Sequence, residues 1–170
     1  KDQGEDALIQ AVRQFYAVQD IEPEVSVANG LIEIRLDADH MDEREFERGV
    51  ELCQQGRYDE GKEIFEKLAK SNPTNSEVHR ILGQIASEQG EQEVAIDHLI
   101  DALRWDPKNT HALTMMGNIQ ARHRRDVDTA MKYYEASLEV DPKNLYAANN
   151  IAAQFLDLGK WDMAETWFDK

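Results

Sequence analysis

The tetrapeptide DPKN stands at residues 106–109 and again at 141–144, and a looser form, NPTN, stands at 72–75. Proline has no backbone N–H and disfavours helical geometry in the residue before it, so Pro73, Pro107 and Pro142 each stop a helix. The asparagine two residues on, Asn75, Asn109 or Asn144, is a preferred N-cap and starts the next one. The prolines are 34 residues apart (73 to 107) and then 35 (107 to 142). That period belongs to stacked helical hairpins rather than to an alternating strand–helix fold.

Counting back from each proline tests the register. Twelve residues earlier stand Gly61, Ala95 and Ala130, with Ala164 in phase in the last unit; eight earlier stand Phe65, Leu99 and Tyr134, with Phe168 fourth. Gly49, Gly83, Gly117 and Ala152 recur near the middle of each first helix. Small residues thus return wherever two helices must approach closely, with a large apolar residue one turn away. The one extra residue of the third unit is expected in RHRRD (122–126), as a longer loop between its two helices.

With LYAANNIAAQFLDLGKWDMAETWF and ILGQIASEQGEQEVAIDHLIDALRWDPKN as its closest stretches, the pattern resembles the tetratricopeptide repeat, a helix–turn–helix unit. RGVELCQQGRYDEGKEIFEKLAKSNPTN fits less closely, with Arg48 and Gly61 where Leu and Ala are usual. The resemblance covers about residues 42–170 and implies a mainly α fold: a right-handed superhelical solenoid of units at about 42–75, 76–109, 110–144 and 145–170. Eight helices are expected from residue 42 onward.

Residues 1–40 are read separately. Leu8, Ile9, Val12, Phe15 and Tyr16 recur at helical spacing, so residues 5–20 are expected to form an amphipathic helix that ends by Pro23. In VSVANGLIEIRL, Asn29-Gly30 signals a two-residue turn pairing Val27 with Ile32 and Val25 with Ile34. A lone hairpin is marginal in water, so this one is expected to rest on the helix, on the repeats or on an upstream domain. The chain begins at Lys1 and stops at Lys170 within a helical pattern, and a piece of a longer protein is expected.

Composition narrows the function classes. With 34 Asp and Glu against 19 Lys and Arg, the net charge of −15 disfavours nucleic acid and anionic lipid as partners. No apolar run is long enough for membrane insertion. The single cysteine, Cys53, reads as packing. The five histidines show no i, i+4 pair and no fixed Cys or Asp company, so no metal site is expected; nor does any phosphate loop or nucleophile elbow imply a cofactor or an enzyme. Nothing marks a compartment, and the cytoplasm is the default expectation.

In the resembled family the first helix of each unit lines a concave groove where a peptide of a partner protein binds. That places Arg80, Gln84, His111, Thr114, Asn118, Arg122, Tyr146, Asn149 and Asn150 on its wall. Asn118 and Asn150 match the asparagines of the carboxylate clamp of co-chaperone repeats, while Thr114 replaces its first lysine. The pairs at 117–118 and 149–150 are also similar to the asparagine ladder of O-linked N-acetylglucosamine transferases. Such amides would grip peptide backbone, and their loss is expected to leave stability nearly unchanged. Arg80 and Arg122 are the strong cations expected there.

The function expected is therefore a non-enzymatic protein-interaction module. The alternatives are a self-assembling scaffold, or the substrate-presenting arm of an enzyme whose catalytic domain lies elsewhere. Trp161, Trp167 and Phe168 are expected to belong to a partly uncovered core stripe, through which the last repeat could form a homo-oligomer.

Overall fold

A computed structural model describes residues 2–17, 24–28, 31–35 and 38–168. After α1 (Asp2–Ala17) come β1 (Glu24–Ala28) and β2 (Leu31–Arg35), then α2 (Ala38–Gln54), α3 (Tyr58–Ser71), α4 (Ser76–Glu88) and α5 (Gln92–Trp105). The third unit is α6 (Thr110–Ile119), a π-turn (Gln120–Arg124) and α7 (Val127–Val140); α8 (Leu145–Asp157) and α9 (Trp161–Phe168) follow. Among the described residues α2 to α9 are the eight repeat helices expected, although α2 begins earlier, at Ala38.

The hairpin has the register read from its turn signal, Val25 opposite Ile34 and Val27 opposite Ile32. Its β1 packs on α1. Val25, Val27 and Ile32 are half-buried and Ile34 is exposed. Residues 18–20, Pro23 and Asn29-Gly30 of that reading lie outside the described residues.

Each letter of the repeated tetrapeptide has a separate task. The Asp106 amide closes α5 on the Ala102 carbonyl (2.9 Å), and the Asp106 side chain accepts the Lys108 amide (3.0 Å). Asp141 does the same, bonding the Ser137 carbonyl (2.9 Å) and the Lys143 amide (3.0 Å). The turn shuts when the Asn109 amide meets the Asp106 carbonyl (3.1 Å) and the Asn144 amide meets that of Asp141 (3.0 Å). Asn75, Asn109 and Asn144 then accept the amides of Val78 (3.2 Å), Ala112 (3.0 Å) and Ala147 (3.2 Å) as N-caps. Their amide nitrogens reach into the preceding helices as well: Asn109 donates to Ser76 (3.2 Å) and Asn144 to Ser137 (2.8 Å). The stop signal is also a tie between adjacent units.

Within each hairpin a small residue faces a large one. A methyl added at Gly83 would stand 2.9 Å from Leu99 Cγ, one at Gly49 2.8 Å from the Phe65 ring, and one at Gly117 2.7 Å from Tyr134 Cδ1. Gly61 sits equally close to Cys53, whose half-buried thiol has its pKa raised by burial and fills a packing position. The core divides into three clusters, and each joins one unit to its neighbour: Leu52, Phe65 and Leu68 meet Val78 and Leu82, and Ala95 and Leu99 meet Ala112 and Met116. In the third, Tyr134 meets Ile151, and Trp167 packs against it. Trp161 and Phe168, read from the sequence as core, are exposed.

The extra residue of the third unit is not in a loop. Gly49 to Gly56, Gly83 to Gly90 and Ala152 to Gly159 are each seven residues, but Gly117 to Arg125 is eight. The addition is absorbed as the π-turn, closed by the Asp126 amide on the Gln120 carbonyl at 2.9 Å. Folding it into the helix keeps the backbone bonded, which a loop would not. Within RHRRD the Arg124 guanidinium donates to both carboxylate oxygens of Glu93 on α5 at 2.7 and 2.8 Å, an exposed ion pair between the second and third units.

Gly56 (φ 76°), Gly90 (φ 80°) and Gly159 (φ 69°) end the first helices of the other units in the left-handed region, and Arg125 (φ 53°) takes that place in the third. A side chain there is strained where glycine is not. Arg125→Gly should stabilise the protein by roughly 0.5–1 kcal/mol net of glycine's entropy cost. Urea or thermal unfolding checks this, and a midpoint at or below wild type contradicts it.

Candidate functional site: a groove along the first helices

Helices α4, α6 and α8 border an open groove of about 590 Å³. Arg80 and Gln84 come from α4, His111, Thr114 and Asn118 from α6, Arg122 from the π-turn, and Tyr146 and Asn150 from α8. These are all the residues expected from the sequence except Asn149, which is exposed and not part of the lining. The lining further includes Ser87, Glu88, Met115, Ile119, His123 and Asn144. Of these, His123 follows from the π-turn, which the 35-residue spacing signals but does not place. A smaller cavity of about 260 Å³ lies by Asp42, Glu43 and Phe46 of α2.

Several of the expected residues are already committed within the fold. Arg80 donates to Glu77 (2.9 Å) and to the Gln84 side-chain oxygen (2.9 Å), and only 13% of its side chain is exposed. It is therefore not the free cation expected, because Glu77 stands one helical turn before it. Thr114 is buried; its hydroxyl donates to the Thr110 carbonyl (2.8 Å), accepts from Asn144 (3.3 Å) and lies 3.2 Å from the Ser137 hydroxyl. It ties α6 to the next unit instead of facing a ligand.

The two asparagines also differ. Asn118 follows Gly117 directly, and its repeat equivalent is the residue after Ala152, which is Ala153; Asn150 belongs to a different turn. They share the groove wall without forming a ladder of equivalent positions. The Asn118 side-chain oxygen accepts the Tyr134 hydroxyl at 2.9 Å. Tyr134 is fully buried, and its pKa is pushed up to about 12 by burial, against a smaller downward pull from the Arg122 charge. Among the described residues the Asn150 and Tyr146 side chains make no hydrogen bond, and the Tyr146 ring is 76% exposed.

Histidines distant in sequence do meet, away from the groove wall. His79 Nδ1 of α4 lies 3.5 Å from His98 Nδ1 of α5, and His79 Nε2 donates to the Pro73 carbonyl at 3.0 Å. Burial and then the neighbouring His79 lower the His98 pKa. Among the described residues no group of three or more His, Cys, Asp or Glu is placed to hold a metal ion.

These bonds alter the expected cost of losing each asparagine. Asn118→Ala leaves a buried phenol without its acceptor and should cost about 1–3 kcal/mol of stability, whereas Asn150→Ala should cost less than about 0.5 kcal/mol. Denaturant unfolding of the two variants decides; equal midpoints would contradict the Tyr134–Asn118 bond.

Family profiles described as "Tetratricopeptide repeat" match residues 52–119 and 110–144. Among curated relatives, BBSome complex member bbs-4 of Caenorhabditis elegans is 30% identical over 96 residues, 56% of this chain and 21% of that protein. Protein O-mannosyl-transferase Tmtc3 of Drosophila melanogaster is 23% identical over 112 residues, 66% of this chain and 12% of that protein. This chain thus corresponds to about a fifth or less of these relatives' length. Among solved structures, MamA superimposes with a TM-score of 0.66 at 23% identity, over 75% of this chain and 74% of MamA. The first TPR of Spaghetti (RPAP3), bound to HSP90 peptide SRMEEVD, superimposes with a TM-score of 0.64 at 23% identity, over 69% of this chain and 93% of that one.

Likeness at this identity shows the fold: a helical solenoid of the kind that is generally a non-catalytic scaffold for protein–protein contact. No helix among the described residues is long and apolar enough to cross a membrane. By its matched repeats and its solenoid neighbours, the chain belongs to the tetratricopeptide repeat family.

Proposed function

We propose that this chain is a protein-interaction module that takes a peptide segment of a partner protein into the groove bordered by α4, α6 and α8. The observation that carries the reading is the polar capacity left over on that wall once internal bonds are counted. The amide nitrogens of Gln84 and Asn118, the whole amide of Asn150, the Tyr146 hydroxyl and the Arg122 guanidinium have no partner among the described residues. At least partly exposed, these groups are met by water in the free protein, and an open row of them suits the alternating donors and acceptors of an extended backbone.

The RPAP3 domain of the same fold is bound to a peptide, which supports the reading for this one. The Tmtc3 match, confined to 12% of that protein, would suit the same groove serving as an arm of a larger enzyme.

The test is an NMR titration with a pool of short unstructured peptides. Amide shifts should concentrate on α4, α6 and α8, and Asn150→Ala should weaken binding by about 1–1.5 kcal/mol for a lost hydrogen bond. Shifts confined to α3, α5 and α7, or none at saturating peptide, would overturn the proposal.

A further inference from the structure

We infer that His79 and His98 form a pH-sensitive latch in the second hairpin. It joins α4 to α5 while the two rings share one hydrogen at their facing nitrogens, and it loosens in mildly acidic solution, where both rings would take charge. The latch lies away from the groove wall and does not depend on the groove being a peptide site.

The first argument fixes the hydrogens. The Pro73 carbonyl can only accept, so its 3.0 Å contact requires that His79 Nε2 carry a hydrogen. The Nδ1 of a neutral His79 is then a bare acceptor. It lies 3.5 Å from His98 Nδ1, with the ring centroids 5.7 Å apart and the rings tilted by 37°. That centroid separation is close to the largest the contact allows, so the two nitrogens point at each other. Two bare lone pairs in this position repel, whereas a hydrogen on His98 Nδ1 makes the contact a long N–H···N bond.

The second argument counts the protons the pair can hold. One further proton has a place on His98 Nε2, which has no partner among the described residues. The next has only His79 Nδ1, where it would meet the His98 N–H head-on and set two positive rings against each other. His79 is buried and His98 half-buried, so water screens them poorly.

The third argument is the surroundings. The carboxylates that act on His98 are Asp101 and Asp97 of its own helix and Glu66 of α3, and each pulls its pKa up by less than burial or His79 pushes it down. Asp101 is in addition paired with Arg104, and on α4 the Glu77 carboxylate is engaged by Arg80. The surrounding acid does not reverse the conflict.

In the unfolded chain both rings titrate near about pH 6.5. The folded pair withholds one of the two protons, so below that pH the unfolded state binds more protons and stability falls as the solution is acidified; well above it both states are neutral and the latch is closed. Because the His79 ring also holds the Pro73 carbonyl of the turn before α4, the loosening acts where the first unit joins the second.

The experiment compares urea unfolding of wild type and His98→Gln at about pH 7.5 and about pH 5. The glutamine amide can donate to a neutral His79 and accept from a charged one, which removes the conflict. On acidification the folding equilibrium of wild type should fall by about ten- to thirtyfold more than that of the variant, thirtyfold being roughly the limit for one proton withheld from an ordinary histidine. Equal losses in the two proteins overturn the latch. Histidine ring signals of wild type, followed by NMR over the same range, decide whether or not the variant folds. One ring of the pair still uncharged at about pH 5 supports the inference, and both rings charging near about pH 6.5 overturns it.

Discussion

In every complete hairpin a position without room for a side chain lies against a large apolar group of the partner helix. Gly49 faces Phe65, Gly83 faces Leu99 and Gly117 faces Tyr134, each within about 3 Å of where a methyl would be. Close helix approach requires this: the large side chain fills the space that a Cβ would take, and dispersion contacts accumulate only at that spacing. Phe65, Leu99 and Tyr134 are fully buried as a result. Because each core cluster also draws on the first helix of the following unit, the fit inside one hairpin sets the surface on which the next one stacks.

The groove inherits its geometry from that fit. Tyr134 packs its ring on Gly117 and gives its hydroxyl to Asn118, the next residue on the groove side, so one buried side chain serves both faces of α6. Thr114, Ser137 and Asn144 join the third unit to the fourth in the same way, through buried hydroxyls that converge on the Thr110 carbonyl. The Asn118 side chain is held from behind by the hydroxyl of the buried Tyr134. Holding recognition groups in place before a ligand arrives lowers the ordering cost of binding.

Most of the fold was legible in the chain because it depends on backbone constraints that single residues impose. Proline spacing, asparagine caps, the Asn-Gly hairpin register and the small–large alternation are local or periodic, and each reappears in the structure. The site was legible as a list of positions and not as chemistry. Arg80 facing the groove follows from helical phase, but its neutralisation by Glu77 depends on which rotamers meet, and the Tyr134–Asn118 bond joins residues on two helices. His79 and His98 meet for the same reason, across a hairpin, where a search for i, i+4 pairs does not reach. The π-turn was visible as one surplus residue; that it would enter the helix depends on backbone hydrogen bonding, which favours a wider turn over an unbonded loop.

The claim that this interlock governs the array has a direct test in Gly117→Ala, because two physical effects there have opposite signs. Helix propensity alone makes alanine more stable than glycine by about 1 kcal/mol in mid-helix. The interlock makes it less stable, since the methyl collides with a ring that is fully buried and hydrogen-bonded, and overpacking of that kind costs about 1–3 kcal/mol. The measurement is the urea unfolding midpoint of Gly117→Ala against wild type. The account predicts a lower midpoint; a midpoint equal to or above wild type would contradict it.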